Sequence, residues 1–272
     1  MDVPVRFIDT ERVGPDTHVI RQIFGEGMGP VAHYVNSAVI TGAEPVLVDT
    51  GPAVTRDEWL TRAFSIVVPA DVRWVYLSHD DIDHVGNLFA VLDLCPNATV
   101  VTTMFSIQRM AGDGMVPLDR VRLVNDGESW WAGDRRLVAV TPPVFDSPTT
   151  RGLYDTASGV YWASDAFAAA VPHPVDDIAE LDRDFYTESF MATQQAISPW
   201  HQWLDPARYR AHLDRIAALG ARAVTSGHGP TLRGTQIGWT LDLMAGLPDR
   251  APASDLRQFD LDQMLAQLAV AA

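Results

Sequence analysis

The chain has 272 residues, of which 47% are hydrophobic and 20% charged, so it can bury the core of one large domain. Its formal net charge of −15 repels phosphate backbones and excludes nucleic acid as the expected partner. The sequence contains no lysine, which excludes Schiff-base and lysine-base chemistry.

Membrane insertion and secretion are also not expected from this sequence. The apolar runs are too short to cross a bilayer, and Met1-Asp2-Val3-Pro4 lacks the basic start of a secretory signal. Cys95 is the single cysteine, and we expect it to be a buried structural thiol. These features predict a cytoplasmic protein without a membrane partner.

The first half of the chain alternates between strand and helix patterns. Apolar, β-branched runs separated by glycine and proline predict three or four antiparallel strands that end at Asp49. Apolar residues at helical spacing alternate with strand runs after that point. The expected helices are 55–66, 86–94 and 104–110, and the expected strands between them are 73–77 and 98–103.

The second half begins with residues 112–134, which we interpret as hairpins, with the pair Trp130-Trp131 in the core rather than in a pocket. Two sheets faced by helices, an αββα sandwich of the α/β (α+β) class, fit this order. We expect a single domain over 1–272 with C-terminal helices at about 237–272, of which the segment 256–272 offers an apolar stripe for a homo-oligomer. The further strands are 137–141, 159–164 and 221–226, and the further helices are 178–197, 206–219, 237–245 and 256–272.

A cluster of metal-ligand residues follows the strand Arg73-Trp74-Val75-Tyr76. Residues 79–84 read His-Asp-Asp-Ile-Asp-His and so offer two imidazoles and three carboxylates at a strand end. An irregular loop can direct His79 and Asp81 toward one ion and Asp83 and His84 toward a second. We expect Asp80 to point away.

The spacing His79-x-Asp81-x-Asp83-His84 resembles the signature of the metallo-β-lactamase superfamily. Further matching blocks occur in the same order over residues 30–235, namely Asn36-Ser37-Ala38-Val39-Ile40, Val46-Leu47-Val48-Asp49-Thr50-Gly51, Ala163-Ser164-Asp165-Ala166-Phe167 and Ser226-Gly227-His228-Gly229-Pro230. Hydrolases of the superfamily carry a histidine at the position of Asp81. A carboxylate there resembles the flavodiiron proteins and related oxygen-binding diiron proteins.

This resemblance implies two divalent metal ions bridged by Asp165. One ion receives Asp83, His84, Asp165 and His228, and the other receives His79, Asp81 and Asp165. The oxygen-rich set favours iron, with zinc or manganese as alternatives. The family has a histidine three residues before an Asp-Ser pair. Here the pair is Asp146-Ser147 and the matching residue is Pro143, so the first metal position lacks an expected ligand.

The function that we expect is a diiron oxidoreductase or a protein that binds oxygen or nitric oxide, with Asp81 and Asp83 as catalytic residues. We expect no flavin, because no phosphate-cradling glycine loop is evident and the chain ends about where a flavodoxin-like domain would begin. Electrons would then come from the substrate or from a separate electron-donor protein.

Two alternatives to this function remain open. One is a metal-dependent hydrolase of a small ester, lactone or thioester, and the other is a non-catalytic, metal-dependent sensor. Among the other histidines, His33 and His173 are candidates to enter the pocket, but we expect both to be ordinary surface or hydrogen-bonded residues. We expect His201 and His212 to be exposed.

Overall fold

The computed structural model of the chain describes residues 3–112, 114–252 and 257–271. Its strands, in chain order, are β1 (Val5–Phe7), β2 (Glu11–Arg12), β3 (Thr17–Ile20), β4 (Gln22–Phe24), β5 (His33–Tyr34), β6 (Ser37–Ile40), β7 (Val46–Val48), β8 (Trp74–Tyr76), β9 (Thr99–Thr102), β10 (Val121–Leu123), β11 (Ser129–Ala132), β12 (Arg135–Val140), β13 (Gly152–Asp155), β14 (Val160–Trp162), β15 (Ala223–Ser226) and β16 (Gly229–Arg233). Its helices are α1 (Arg56–Ile66), α2 (Ile82–Val85), α3 (Leu88–Leu94), α4 (Met104–Met110), α5 (Arg183–Ile197), α6 (Pro206–Ala217), α7 (Thr235–Ala245) and α8 (Gln258–Ala271).

Two large sheets form the centre of the fold. The first has seven strands in the order β10-β9-β8-β7-β6-β3-β2, and the second has six in the order β11-β12-β13-β14-β15-β16. A three-stranded sheet, β1-β4-β5, lies beside them. Because side chains alternate along a strand, Val46 and Val48 face the second sheet, whereas Leu47 between them faces the helices.

Helices cover both outer faces. Trp59 of α1 and Leu88 of α3 pack on the first sheet, and Phe190 of α5 and Leu213 of α6 pack on the second. The predicted αββα sandwich is therefore confirmed. Within the described ranges, none of the helices is long and apolar enough to cross a membrane.

The structure differs from the sequence-based expectation in residues 112–134. β10 pairs parallel with β9 rather than forming a hairpin, and only β11 and β12 form the expected antiparallel pair, with Gly133 at φ 62° in their turn. Trp130 is buried and stacks on Tyr76, with ring centroids 5.8 Å apart, as predicted. Trp131, its neighbour on the opposite face, is 67% exposed, so the prediction of a core position is wrong for this residue, because successive side chains of a strand point to opposite faces.

The C-terminal helical region agrees with the predicted range where it is described. α7 and α8 lie within or close to the expected ranges. Residues 253–256 and 272, which include the expected start and end of the last helix, lie outside the described residues. Cys95 is buried, as expected.

The carboxyl ends of four strands meet at one edge of the sandwich. β7 and β8 run parallel in the first sheet, as do β14 and β15 in the second. Asp49, His79, Asp165 and His228 each follow one of these strands within three residues. The backbone of Asp49 is left-handed, with φ 57°, a conformation that costs energy outside glycine and is often found at functional sites.

Candidate metal centre

The structure brings all six sequence-predicted ligand residues to this edge. Three overlapping groups have ligand-type atoms within 4.8 Å of one another, namely His79/His84/Asp165, Asp83/His84/His228 and His79/Asp81/Asp146. Four of the six lie at a strand end or in the loop that follows it. Asp83 and His84 lie on the single turn of α2, where the main-chain N–H of Thr50 donates to the carbonyl of His84 at 2.6 Å.

Asp81 and Asp83 lie at the start of this turn. Asp81 is the N-cap of α2, but its side chain makes no capping hydrogen bond, and its carboxylate lies 3.9 Å from Nε2 of His79. The carboxylate of Asp83 lies 3.4 Å from Nε2 of His228. The loop thus directs its carboxylates to opposite sides of the cluster, as the sequence predicts.

A buried carboxylate fixes the orientation of the His84 ring. Its Nδ1 donates to Asp49 Oδ2 at 2.9 Å, so the proton of the neutral ring lies on Nδ1 and Nε2 presents a lone pair. That Nε2 atom lies 3.1 Å from Asp165 Oδ1 and 3.3 Å from Nε2 of His228. The ring is therefore oriented for metal binding.

His228 is held in the same way by the main chain. Its Nδ1 lies 2.8 Å from the carbonyl oxygen of Tyr34, which can only accept, so Nδ1 donates and Nε2 is bare. Asn36 fixes the loop that carries His228, because its amide donates to the carbonyls of Ser226 and Gly229.

A chain of hydroxyl groups orients His79. Ser164 donates to Ser78 at 3.0 Å, and Ser78 donates to Asp49 at 2.7 Å. Both hydroxyl protons are thereby used, so the oxygens accept from Nδ1 of His79, which lies 3.2 Å from each. Nε2 of His79 then carries a lone pair that is directed at the carboxylates. Each serine directly precedes a predicted ligand in the sequence, and that adjacency is the signal that sequence reasoning overlooked.

Unpartnered buried atoms show that this residue set fits metal ions. His79 Nε2 and Asp165 Oδ1 are buried without a hydrogen-bond partner. The bare Nε2 atoms of His84 and His228 face each other, an arrangement that is repulsive unless a cation or a proton lies between them. Imidazole and carboxylate ligands with no sulfur suit iron, zinc or manganese.

In the metal-free site, the close approach of imidazoles and carboxylates shifts the pKa values of both. Burial opposes charge on the imidazoles, but Asp165 and its neighbouring carboxylates outweigh it, raising the pKa of His228 to about 9 and that of His84 well above its ordinary value. The pKa of His79 is also raised. Burial of Asp165 is outweighed in turn by the three imidazoles, which hold its pKa well below the usual range.

Asp146 is the site residue that sequence reasoning missed. One of its carboxylate oxygens lies within the 4.8 Å group with His79 and Asp81, whereas Pro143, the position expected for a family histidine, is buried and has no ligand atom. Desolvation and the nearby Asp165 raise the pKa of Asp146. Its signal was a carboxylate in the connection between β12 and β13, where only a histidine was sought.

Asp80 points away from the cluster, as expected, and anchors two neighbouring segments. It accepts from Thr149 at 2.6 Å and from Ser106 at 3.3 Å, and it pairs with Arg109 at 2.5 Å. Through these contacts Asp80 connects residues 79–84 to α4 and to the segment after Asp146.

Two of the four other histidine predictions need comment. His201 is fully buried, and its Nδ1 donates to the carbonyl of Leu247 at 3.0 Å, so the prediction of an exposed side chain is wrong. The short helical turn Pro199–Trp203 folds back against the segment after α7. His212 is also partly buried and reaches the carbonyl of Pro142 at 3.2 Å. His33 and His173 are exposed, as expected.

An apolar cavity of about 480 Å³ opens beside Asp83. Among the described residues that line it, Asp83 is the one charged residue, and exposed Val54 and Ile82 stand at its edge. The other lining residues are Phe24, Pro52, Ala53, Val85, Gly86, Leu88, Phe89 and Met110. A cavity of this size and polarity suits a small organic molecule.

Comparison with known proteins relates the chain to a described family and to several named proteins. The sequence profile of the family described as "ODP family beta lactamase" matches residues 33–229. A protein named putative diflavin flavoprotein A 1 of Nostoc sp. is 29% identical over 202 residues, covering 73% of this chain and 33% of that protein. The anaerobic nitric oxide reductase flavorubredoxin of Salmonella typhi is 26% identical over 161 residues, covering 59% of this chain and 33% of that protein.

Solved structures support the fold. Rubredoxin oxygen:oxidoreductase of Desulfovibrio gigas superposes with a TM-score of 0.76 at 15% identity, over 90% of this chain and 62% of that one. The chain spans about a third of the length of the curated relatives it matches.

Proposed function

Because this chain belongs to the ODP family of β-lactamase-fold proteins, we propose that it binds two iron ions and acts as an oxidoreductase that reduces dioxygen or nitric oxide. The observation that carries the proposal is the carboxylate Asp81, 3.9 Å from the bare Nε2 of His79, at the position where hydrolases have a histidine. Relatives named for nitric oxide reductase and oxygen oxidoreductase activity support it.

In this proposal Asp165 bridges two metal positions. The first position comprises His79 and Asp81, and the second comprises Asp83, His84 and His228. Support comes from the contacts of Asp165, whose two oxygens lie 3.4 Å from His79 and 3.1 Å from His84. A carboxylate between two cations shares their charge.

The protein residues supply orientation and charge. Two iron ions would supply electrons in pairs to a small oxygen-containing substrate. The carboxylate of Asp49 holds the His84 ring in place, and the main-chain carbonyl of Tyr34 holds the His228 ring. Asp81 and Asp83, whose side chains are 39% and 32% exposed, lie on the solvent side and would contact the substrate. In this proposal a separate electron-donor protein provides the electrons, and this chain binds no flavin. A cytoplasmic location and assembly into a homo-oligomer also stay predictions.

The test is a metal analysis combined with a turnover assay. The protein is purified without oxygen, its iron, zinc and manganese are measured by mass spectrometry, and the consumption of dioxygen and nitric oxide is followed with electrodes and an artificial reductant. We expect about two irons per chain and reductant-dependent consumption of at least one gas. The exposed Asp93→Asn variant serves as a control for loss of one negative charge. Iron-loaded protein that consumes neither gas would overturn the proposal.

A metal-dependent hydrolase is the second candidate, and the apolar cavity beside Asp83 favours it. A diatomic gas needs no cavity of about 480 Å³, whereas the acyl part of an ester, lactone or thioester would fill it. Zinc-loaded protein that cleaves such substrates, with a KM raised by Ile82→Glu at the cavity's edge, would support this candidate over the first.

A further inference from the structure

The first metal position holds fewer protein ligands than the second unless another residue contributes. His79, Asp81 and the bridging Asp165 are the sequence-predicted set. The structure adds the carboxylate of Asp146, whose oxygen lies within 4.8 Å of the ligand atoms of both His79 and Asp81.

An independent feature points to a cation at this place. His79 is fully buried, and its Nε2 has no hydrogen-bond partner. Because Nδ1 donates to the two serine hydroxyls, Nε2 carries a lone pair. Two carboxylates lie close to it, Asp165 at 3.4 Å and Asp81 at 3.9 Å. Around the neutral ring, a lone pair and these carboxylates offer no donor, so a metal cation or, in the metal-free protein, a second ring proton must balance them.

The segment that carries Asp146 is fixed on both sides. Before it, the main-chain N–H of Phe145 donates to Ser198 at 3.1 Å. After it, the hydroxyl of Ser147 pairs with Thr149 at 2.7 Å, and Thr149 donates to Asp80, the neighbour of His79. Asp146 is thus held in register with the loop that carries His79 and Asp81.

We propose that Asp146 is the fourth protein ligand of the first metal position, so that this position binds a harder ion than the second. The proposal rests on the binuclear site proposed above. The first position then has one imidazole and three carboxylates, whereas the second has two imidazoles and two carboxylates. Oxygen-rich sites favour manganese or iron, and additional imidazole shifts preference toward zinc. We infer that the two ions bind with unequal affinity and that a mixed-metal pair forms readily.

The experiment is a metal titration of the metal-free protein. Binding of Mn²⁺ is followed by calorimetry and by the magnetic-resonance signal of free Mn²⁺, and binding of Zn²⁺ by calorimetry. Wild-type protein should have two binding positions for each metal. The ratio of Mn²⁺ affinity to Zn²⁺ affinity should be at least tenfold higher at one position than at the other. Asp146→Asn should weaken that Mn²⁺-selective position at least tenfold and leave the other unchanged. The exposed Asp93→Asn should change neither.

Two histidine variants test the assignment of the position. Asp146→His should shift the first position toward Zn²⁺ by at least tenfold, whereas Pro143→His should leave both affinities unchanged. Unaltered Mn²⁺ binding in Asp146→Asn, or tighter binding in Pro143→His, would overturn the inference. Thermal melting of the metal-free variants checks that they fold.

The outcomes separate this inference from the proposed function. Wild type that binds two ions but consumes no gas would sink only the proposed function, and two unchanged positions in Asp146→Asn would sink only the role of Asp146. Wild type that binds a single ion would overturn both.

Discussion

The buried carboxylate of Asp49 lies 2.9 Å from Nδ1 of His84 and joins the metal centre to the first sheet. The same carboxylate accepts from the main chain and hydroxyl of Ser78 at 2.7 Å and from the indole of Trp162 at 3.1 Å. One side chain therefore fixes the protonation pattern of two rings, directly in His84 and through Ser78 in His79.

We predict that Asp49→Asn lowers metal affinity about 10- to 100-fold. An amide NH₂ in place of a carboxylate oxygen cannot accept from both Ser78 and His84, so at least one ring loses its orientation. Calorimetric metal titration measures the effect. Trp162→Phe removes one donor to Asp49 but keeps the hydrogen bond between Asp49 and His84. It should therefore lower stability and change metal affinity much less than Asp49→Asn does. Equal losses in both variants would contradict the role of Asp49.

Asp165→Asn should lower occupancy at both metal positions, because its two oxygens face His79 and His84 separately. Elemental analysis of the purified variant measures this, with Asp93→Asn as the control. Loss of one ion with the other retained would rule out the bridging assignment.

Gly227 lies so close to His84 that an added Cβ would be 2.8 Å from Cε1 of that ring. We predict that Gly227→Ala displaces the ring and weakens metal binding at least tenfold, measured by titration. The control is Gly238→Ala, at an exposed position of helix α7 with open space around it, which should stabilise the fold by up to about 1 kcal/mol. Normal metal binding in Gly227→Ala would show that the loop yields easily.

The metal-free protein should lose stability as the pH rises from about 7 through 9. His228 has a pKa of about 9 in the folded chain, above its ordinary value of 6.5, so its contribution is complete below the unfolded pKa and is lost above the folded one. Denaturant unfolding in a chelating buffer across this range measures the loss, on the order of 1 kcal/mol. His228→Gln should flatten the profile. A wild-type profile as flat as that of the variant would refute the prediction.

Arg135 tests the core between the sheets, away from the metal centre. It is buried and pairs with buried Asp155 at 3.0 Å. Arg135→Met leaves that carboxylate unpaired and should cost about 3–5 kcal/mol of unfolding free energy. Arg136→Met, its exposed neighbour on β12, should cost less than about 1 kcal/mol. Chemical denaturation compares the two, and equal costs would contradict the importance of burial.

The sequence alone determined the fold class, several of the helices and most of the chemistry at the strand ends. Helix α4 spans the predicted residues 104–110, and α1 begins one residue after its predicted start. These predictions succeed because apolar spacing and turn residues act locally. The six expected ligand residues were predictable for the same reason, because each follows the end of a strand that the apolar pattern predicts.

Only the tertiary structure decided which atoms these residues present to one another. Asp146 lies 67 positions from His79 in the sequence, and the Asp-Ser pattern around it does not indicate that its carboxylate reaches His79. The main-chain carbonyl that orients His228 belongs to Tyr34, and a carbonyl has no signature in the sequence. Buried His201 was wrongly expected to be exposed because its contact with Leu247 depends on how two distant segments pack. Such long-range contacts depend on the packing of whole sheets and helices, which residue patterns do not encode locally.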